Sequence, residues 1–530
     1  MSAEPDLAQV PAPVMGPNAY DTPTDTPLKR GKWQRFVSWI WDAWGLKADL
    51  VCVWSTGNSD YYDKSPAERK LVFKLDCFLL TALTLGWWIK NVDQSNGMKE
   101  DLKITGNQYT YMVSIYSAVL AGMNIPSNFV VLKVRPSKFL ALCDIGWGIF
   151  TFAQAGAQSY QAMYGFRFCV ALFESFYYPV SFFLLGSWYT KPELAKRITL
   201  WFIASPAGSA FSGFMQAGIY NNMDGLHSIR GWRWLFIICG VMTLPIGIMI
   251  WFFVPDFPEN TKVWYLTEEE RQLARDRIAR DGRDKVTKKI RWSVIRDCFK
   301  SWKLYILVIW FTIMALSSIG GKQFGVYLKS EGYSVTMRNV LPSLSSLLIC
   351  ITLIPYSYIS DRTVRFGRGW VVLAIAVWGL LPTGILAFWP KSNSLRVAGF
   401  MLNSTTYSTP IFFAWVADIC GKQHEERAFI TGFITAFWYA TDAWINTIIY
   451  KQTDGPRFKK GFTTAFATDV ISIFTAPLVM YLQHLDERKY AMKEAEAENI
   501  ASEVKDQEIA RPVEYRGGAE DRSLEDIDAK

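Results

Sequence analysis

Apolar residues in this chain gather into runs of about 20, separated by short polar or basic connections. At a 1.5 Å rise per residue, a run of that length crosses a hydrocarbon layer of about 30 Å, so each predicts a spanning helix. Twelve runs are present, at roughly 75–95, 108–132, 138–158, 162–188, 197–220, 234–254, 303–328, 338–360, 369–389, 395–420, 427–450 and 461–484. Six precede a polar linker at 255–302 and six follow it. The pattern predicts an all-α membrane protein with twelve transmembrane helices in two six-helix halves, 75–254 and 303–484.

The flanking segments orient the helices. Residues 1–74 carry Lys29, Arg30, Lys32, Arg35, Lys47, Lys64, Arg69, Lys70 and Lys74 before the first run. The linker carries Arg271, Arg275, Arg277, Arg280, Arg283, Lys285, Lys288, Lys289 and Arg291. Positive charge favours the cytosolic side, and an even helix number puts both termini on the linker's side. The expected arrangement is therefore a cytosolic N-terminal region, linker and 485–530 tail. Residues 1–30 are Pro-rich and polar, a composition expected to stay disordered. In 32–46, KWQRFVSWIWDAWGL, the large apolar residues follow a helical period. That stretch reads either as an amphipathic helix on the inner leaflet or as a helix packed on the bundle's cytosolic face. In the linker, Thr267 and Glu270 form a capping box ahead of a charged helix, with Gly282 as its stop. The tail is expected to be a solvated helix fading into disorder.

Composition agrees. Hydrophobic residues are 50% and aromatic residues 15% of the 530, including 23 Trp. The mean hydropathy of +0.09 is low because the tails and linker dilute it. The net charge of +8 lies beside apolar runs, which suits anionic lipid headgroups and not nucleic acid. The eight Cys form no CxxC pair and lie mostly in apolar runs, so neither a metal site, a cofactor nor a disulfide framework is expected. The N-terminus MSAEPDLAQV has no basic stretch followed by an apolar core, so the first spanning helix is expected to direct insertion. No Walker loop, HExxH or supported GxSxG motif occurs, which argues against an enzyme.

Ionisable residues at membrane depth are costly and usually functional. They are Lys90, Asp93, Asp144, Arg167, Glu174, Lys322, Asp418, Asp442 and Asp469. Lys90 and Asp93 are spaced to meet on one helix face, and Asn91, Gln94 and Asn96 add amides able to hold a polar solute. The other reading is that helix one simply ends there. Arg167 and Glu174 share a face of helix four two turns apart. Glu174 is a candidate proton carrier or half of a structural ion pair. Lys322 follows Gly320-Gly321, which weaken a helix, so it either meets a carboxylate at a helix break or snorkels to the interface. Asp442, in FWYATDAWIN, is a second proton candidate. The three His fall in loops or at a helix edge, leaving proton coupling to carboxylates. The sequon at 403–405 falls inside helix ten and is expected to be silent.

The halves echo each other. The second-to-third connection, PSNFVVLKVRPSK, and the eighth-to-ninth, YISDRTVRFGR, each follow a Pro-containing helix, with Asn128 and Arg135 in one and Asp361 and Arg368 in the other. Related halves are a transporter architecture with the solute site between them. With DKSPAERKLVFKLD, GMKEDL, GWRWLFII, VPDFPEN, YLKSEGYSV, EERAFITGF and PRFKKGF, over about 65–485, the chain resembles the major facilitator superfamily. More narrowly it resembles the fungal anion:cation symporter (allantoate permease) branch, closest to pantothenate:proton symporters.

The resemblance implies the major facilitator fold, a monomer, and proton-coupled uptake of a small organic anion by alternating access at the plasma membrane. Pantothenate or a related vitamin carboxylate is the implied cargo. The residues read above then fall into substrate contacts at Lys90, Asn91, Gln94, Arg167 and Lys322 and proton coupling at Asp93, Glu174 and Asp442; of these, Arg167 and Glu174, in FRFCVALFES, resemble the superfamily's helix-four Arg and Glu. The resemblance also implies gate residues Asn128, Arg135, Asp361, Arg362, Arg365 and Arg368. Two departures stand out: Asn128 replaces the usual Asp, and a stretch like NISNAYVS is missing between Asn96 and Gly97. The competing readings are a proton-antiport exporter of secondary metabolites and a nutrient sensor that does not transport. Against the first, helix five reads ASPAGSAFSG where such antiporters carry a GPxxGG-like run.

Overall fold

The structure, a computed structural model, describes residues 65–92, 98–102, 104–105, 108–280, 292–362, 368–420, 424–451 and 454–510. The chain divides into residues 1–69 and 70–530. Only 65–69 of the first unit are described, and the helical bundle belongs to the second. The expectations for 1–30, for 32–46 and for Gly282, and the positions of Asp93, Gln94, Asn96 and Arg365, lie outside the described residues.

Twelve long helices occur among the described residues. They are α1 (Pro66–Lys90), α2 (Gln108–Lys133), α3 (Pro136–Gln154), α4 (Tyr160–Trp188), α5 (Lys191–Asn222) and α6 (Gly231–Phe253), then α7 (Trp302–Ser330), α8 (Val335–Arg362), α9 (Gly369–Phe388), α10 (Asn393–Asn403 with Thr409–Cys420), α11 (His424–Ile449) and α12 (Lys459–Ala510). Eight are long and apolar enough, by length and composition alone, to cross a membrane. Helices suit that environment because they satisfy their own backbone hydrogen bonds.

Helix one departs from its expected bounds. It begins before 75 because its polar start is amphipathic, with Leu71, Val72 and Leu75 fully buried. It ends at Lys90, ahead of 95, because Asn91 leaves the helical region and its side-chain amide bonds back to the Trp87 carbonyl at 2.7 Å. At the other end of the chain, the helix expected in the tail continues the spanning segment without a break, as α12 to Ala510.

Every third helix is interrupted. α1 contains a π-helical turn at Asp76–Leu80, and α4 breaks between Glu174 and Tyr177. α7 tightens to a 3₁₀ turn at Ile319–Gln323, and α10 breaks around Ser404–Thr406. Six of the other helices carry interior prolines and remain continuous. The interruptions matter because they expose backbone and re-aim side chains inside the bundle.

Large aromatics fill each half. Trp87, Tyr177, Tyr178 and Trp201 pack together in the first, and Trp310, Phe311, Phe412 and Trp415 in the second. The halves meet along α2–α11 and α5–α8. Glycine is required at the second contact: a Cβ on Gly213 would lie 2.8 Å from the Asn339 carbonyl and would overlap the Ser343 hydroxyl.

The linker helix Glu268–Arg280 is fastened to the first half. Thr267 and Glu270 form the capping box. Lys74 reaches Glu270 at 2.8 Å, and Arg277 meets Glu193 at 2.5 Å with both side chains at most 4% exposed. The second linker helix, Trp292–Lys300, packs Phe299 against Phe429 and Phe433 of α11.

Candidate functional site

The end of α1 and the break in α4 bring Lys90 and Glu174 together. Lys90 Nζ lies 3.2 Å from Glu174 Oε1, and the two side chains are 8% and 4% exposed. Lys90 also lies 4.7 Å above the centre of the Trp87 ring, a cation–π contact. The Tyr116 hydroxyl of α2 hydrogen-bonds to Glu174, and Arg167 is within electrostatic reach of Tyr116. The Arg167 guanidinium rests 5.7 Å from the Phe236 ring centre. A buried charge pair this well enclosed holds together only while both groups are charged.

A second pair faces it from the other half. The 3₁₀ turn of α7 presents Lys322 3.5 Å from Asp442 Oδ1 on α11. The ammonium is open, at 60% exposure, whereas the carboxylate is 7% exposed. Ser117 of α2 donates to Asp442 Oδ2 at 2.9 Å, crossing between the halves, and Asn446 donates to Oδ1 at 2.9 Å. Asn124 and Thr435 make a further cross-half bond at 2.7 Å. Tyr439 lies one turn before Asp442 and within electrostatic reach of Glu174, Asp442 and Tyr407. Tyr178 is within reach of Tyr439 and Tyr407. Tyr439 is thus the residue within electrostatic reach of a carboxylate of each pair, with Tyr116 beside Glu174. The sequence reading missed them; the signal was Tyr439 at i−3 from Asp442, on the same helix face.

Asp93, the expected partner of Lys90, lies outside the described residues; among those described, Lys90 meets Glu174. Asn91 is committed to the fold: its amide caps α1 and its oxygen accepts from Ser205 at 2.9 Å. The small residues of ASPAGSAFSG allow this approach, since a Cβ on Gly208 would overlap the Trp88 carbonyl. Among the gate residues, Asn128 lies on α2, Asp361 and Arg362 end α8, and Arg135 is exposed at the start of α3. Arg368 donates to Asp418 of α10 at 2.7 Å and to Ser360 at 3.2 Å.

Two further pairs went unnoticed in the sequence. Arg197 of α5 binds Asp76 at the π-helical turn of α1, at 2.6 Å. Lys303 at the start of α7 binds Glu426 of α11 at 3.2 Å. They occupy corresponding helices of the two halves, α1–α5 and α7–α11, with the charges exchanged. The sequon residue Asn403 is 3% exposed and so closed to modification.

The sequence profile of the Major Facilitator Superfamily matches residues 77–443. MFS transporter PfmaC of Pestalotiopsis fici is 33% identical over 385 residues, 70% of this chain and 72% of that protein. Pantothenate transporter FEN2 of Saccharomyces cerevisiae is 31% identical over 400 residues, covering 71% and 77%. The vitamin H transporter of the same yeast is 28% identical over 407 residues, covering 72% and 67%. Among solved structures, an inward-facing bacterial homologue of the lysosomal transporter Spinster aligns with a TM-score of 0.54 at 15% identity, covering 79% of this chain and 98% of that one. A D-xylose–proton symporter aligns with a TM-score of 0.53 at 12% identity, covering 76% and 96%. At such identities these structures speak for the fold alone.

Proposed function

The chain belongs to the major facilitator superfamily, and from that premise we propose that it takes up a small organic anion together with protons by alternating access. Pantothenate is the proposed cargo, since FEN2 and liz1, both named pantothenate transporters, are 31% and 28% identical to it. The narrower affiliation is to the allantoate permease branch. The protein acts as a lipid-embedded monomer in the plasma membrane, with both termini cytosolic on the strength of the basic flanks.

The observation that carries the reading is the buried Lys90–Glu174 pair. Glu174 and a substrate carboxylate compete for the same ammonium. When Glu174 Oε takes up a proton from the outer side, Lys90 loses its partner and binds the incoming carboxylate. When the inward-open state loses both proton and anion, the pair closes again. Lys322 is the open cation across the site and makes a second contact, while Asp442 anchors it. Coupling of this kind needs differential binding between two states, which exchange of one ion partner for another supplies.

The Glu174 proton alone, carried with a monoanion, moves no net charge and contributes about tenfold accumulation per pH unit. Uptake of labelled pantothenate into vesicles, with and without an imposed pH gradient, tests the reading. Gradient-driven accumulation is expected. Uptake that ignores the gradient, or export against it, would overturn it.

A further inference from the structure

Asp144 lies eight residues into α3, about 12 Å from the start of a helix about 28 Å long, and so near its middle. It is fully buried, and neither carboxylate oxygen has a hydrogen-bond partner among the described residues. A carboxylate at that depth is expected to be paired, hydrogen-bonded or functional. α6 presses on it: a Cβ on Gly247 would lie 3.2 Å from Asp144 Oδ2 and 2.8 Å from Cγ1 of Ile145. Glycine there leaves room for the carboxyl and supplies nothing to bond it.

The groups around Asp144 are few. α4 contributes Glu174, with which it interacts electrostatically, and Tyr177, whose hydroxyl is engaged by the Leu83 carbonyl at 2.9 Å. α3 itself contributes Cys143, and α6 offers Gly247 and Thr243, which do not titrate. Thus, among the described residues, the one charged group acting on Asp144 is another carboxylate, and that carboxylate is half of the Lys90 pair. Two acids within reach of each other share protons as a coupled system.

The other half has a counterpart built differently. Asp469 of α12 packs against Gly379 of α9, where a Cβ would lie 3.1 Å from Oδ2. Here the carboxylate comes from the other helix of the corresponding pair, α9–α12 against α3–α6. Thr383 donates to it at 2.8 Å, and Ser317 lies beside it. A carboxylate in that seam can therefore be furnished with hydroxyls; in the first half it is not.

We infer that Asp144 is a second proton-binding site, coupled to Glu174 across the α3–α4 contact, so that two protons accompany each monoanion and uptake carries net positive charge inward. The inference rests on the reading that Glu174 couples transport to protons.

The test uses the full chain in proteoliposomes, with labelled pantothenate as the probe and labelled biotin in parallel. A potassium–valinomycin clamp sets the potential at fixed pH gradients. With two protons, wild-type accumulation should rise about tenfold for each ~60 mV inside-negative and about a hundredfold per pH unit. D144N should lose the potential dependence, keep about tenfold per pH unit, and retain counterflow exchange, which certifies folding. Asp144→Ser takes its place if D144N fails counterflow. A wild-type protein indifferent to potential, or a folded Asp144 variant with wild-type potential dependence, overturns the inference. E174Q is the separate arm: if it still accumulates with the gradient, the Glu174 reading fails whatever Asp144 does.

Discussion

Lys90 and Glu174 stand 3.2 Å apart where α1 has just ended and α4 is interrupted, and they are 84 positions apart in the chain. The pair joins the end of one helix to the break in another, a contact between segments that residue order alone does not bring together.

Replacing Glu174 with Gln keeps the shape and removes the titrating group. E174Q is expected to abolish gradient-driven accumulation while counterflow exchange and surface expression persist. An unchanged response to pH in the variant would show that the pair is structural.

Lys322 is open to the site while its partner Asp442 is enclosed. Lys322→Ala should therefore act on affinity, raising KM about tenfold, the value of one charge-assisted contact near ~1.5 kcal/mol. Asp442→Asn should be milder in KM, because Ser117 and Asn446 still hold the amide. Concentration dependence of initial uptake rates decides it, and equal KM for both variants would remove Lys322 from the site.

Arg277 and Glu193 are buried together, so removing one strands the other. Arg277→Ala is expected to cost about 3–5 kcal/mol and to lower Tm sharply. The double variant Arg277→Met with Glu193→Leu should recover most of the loss, since two apolar side chains leave no orphaned charge. Thermal unfolding in detergent, compared across the three proteins, checks the order.

Glu270 is partly buried, which alone would raise its pKa, but the Lys74 bond, the Thr267 amide and the Lys74 and Lys70 charges together bring it below the usual 4.5. A depressed carboxylate contributes stability that is full above its unfolded pKa and is lost as pH falls through the folded one. The linker helix should therefore hold at neutral pH and loosen below about pH 4. Hydrogen exchange in 268–280 should rise over that window, and Glu270→Gln should exchange faster already at about pH 7.

Gly213 lets α5 and α8 close on each other across the halves. Gly213→Ala should slow uptake several-fold with normal expression, and adding Ser343→Gly should restore part of it, because the introduced methyl meets the Ser343 hydroxyl. A double variant no better than Gly213→Ala would place the conflict at the Asn339 carbonyl.

How many helices there are, where most of them lie and that they fall six and six about a charged linker could be read from residue order. Crossing a membrane is a local demand: each segment must be apolar and must bond its own backbone, whatever surrounds it. The capping box at Thr267 and the weakness at Gly320-Gly321 were legible for the same reason, since capping and helix propensity act over a few residues. The partners of the charges were not. Lys74 read as a basic flank, Lys90 as a site residue or a helix end, and Asp76 drew no reading, yet each is matched by a residue of another segment, Glu270, Glu174 and Arg197. The early start of α1 was hidden by charges such as Lys74, because an apolar window excludes residues that only a distant partner neutralises. Charge pairing depends on separation in space, and across a bundle of twelve helices that separation is set by packing and by where individual helices break.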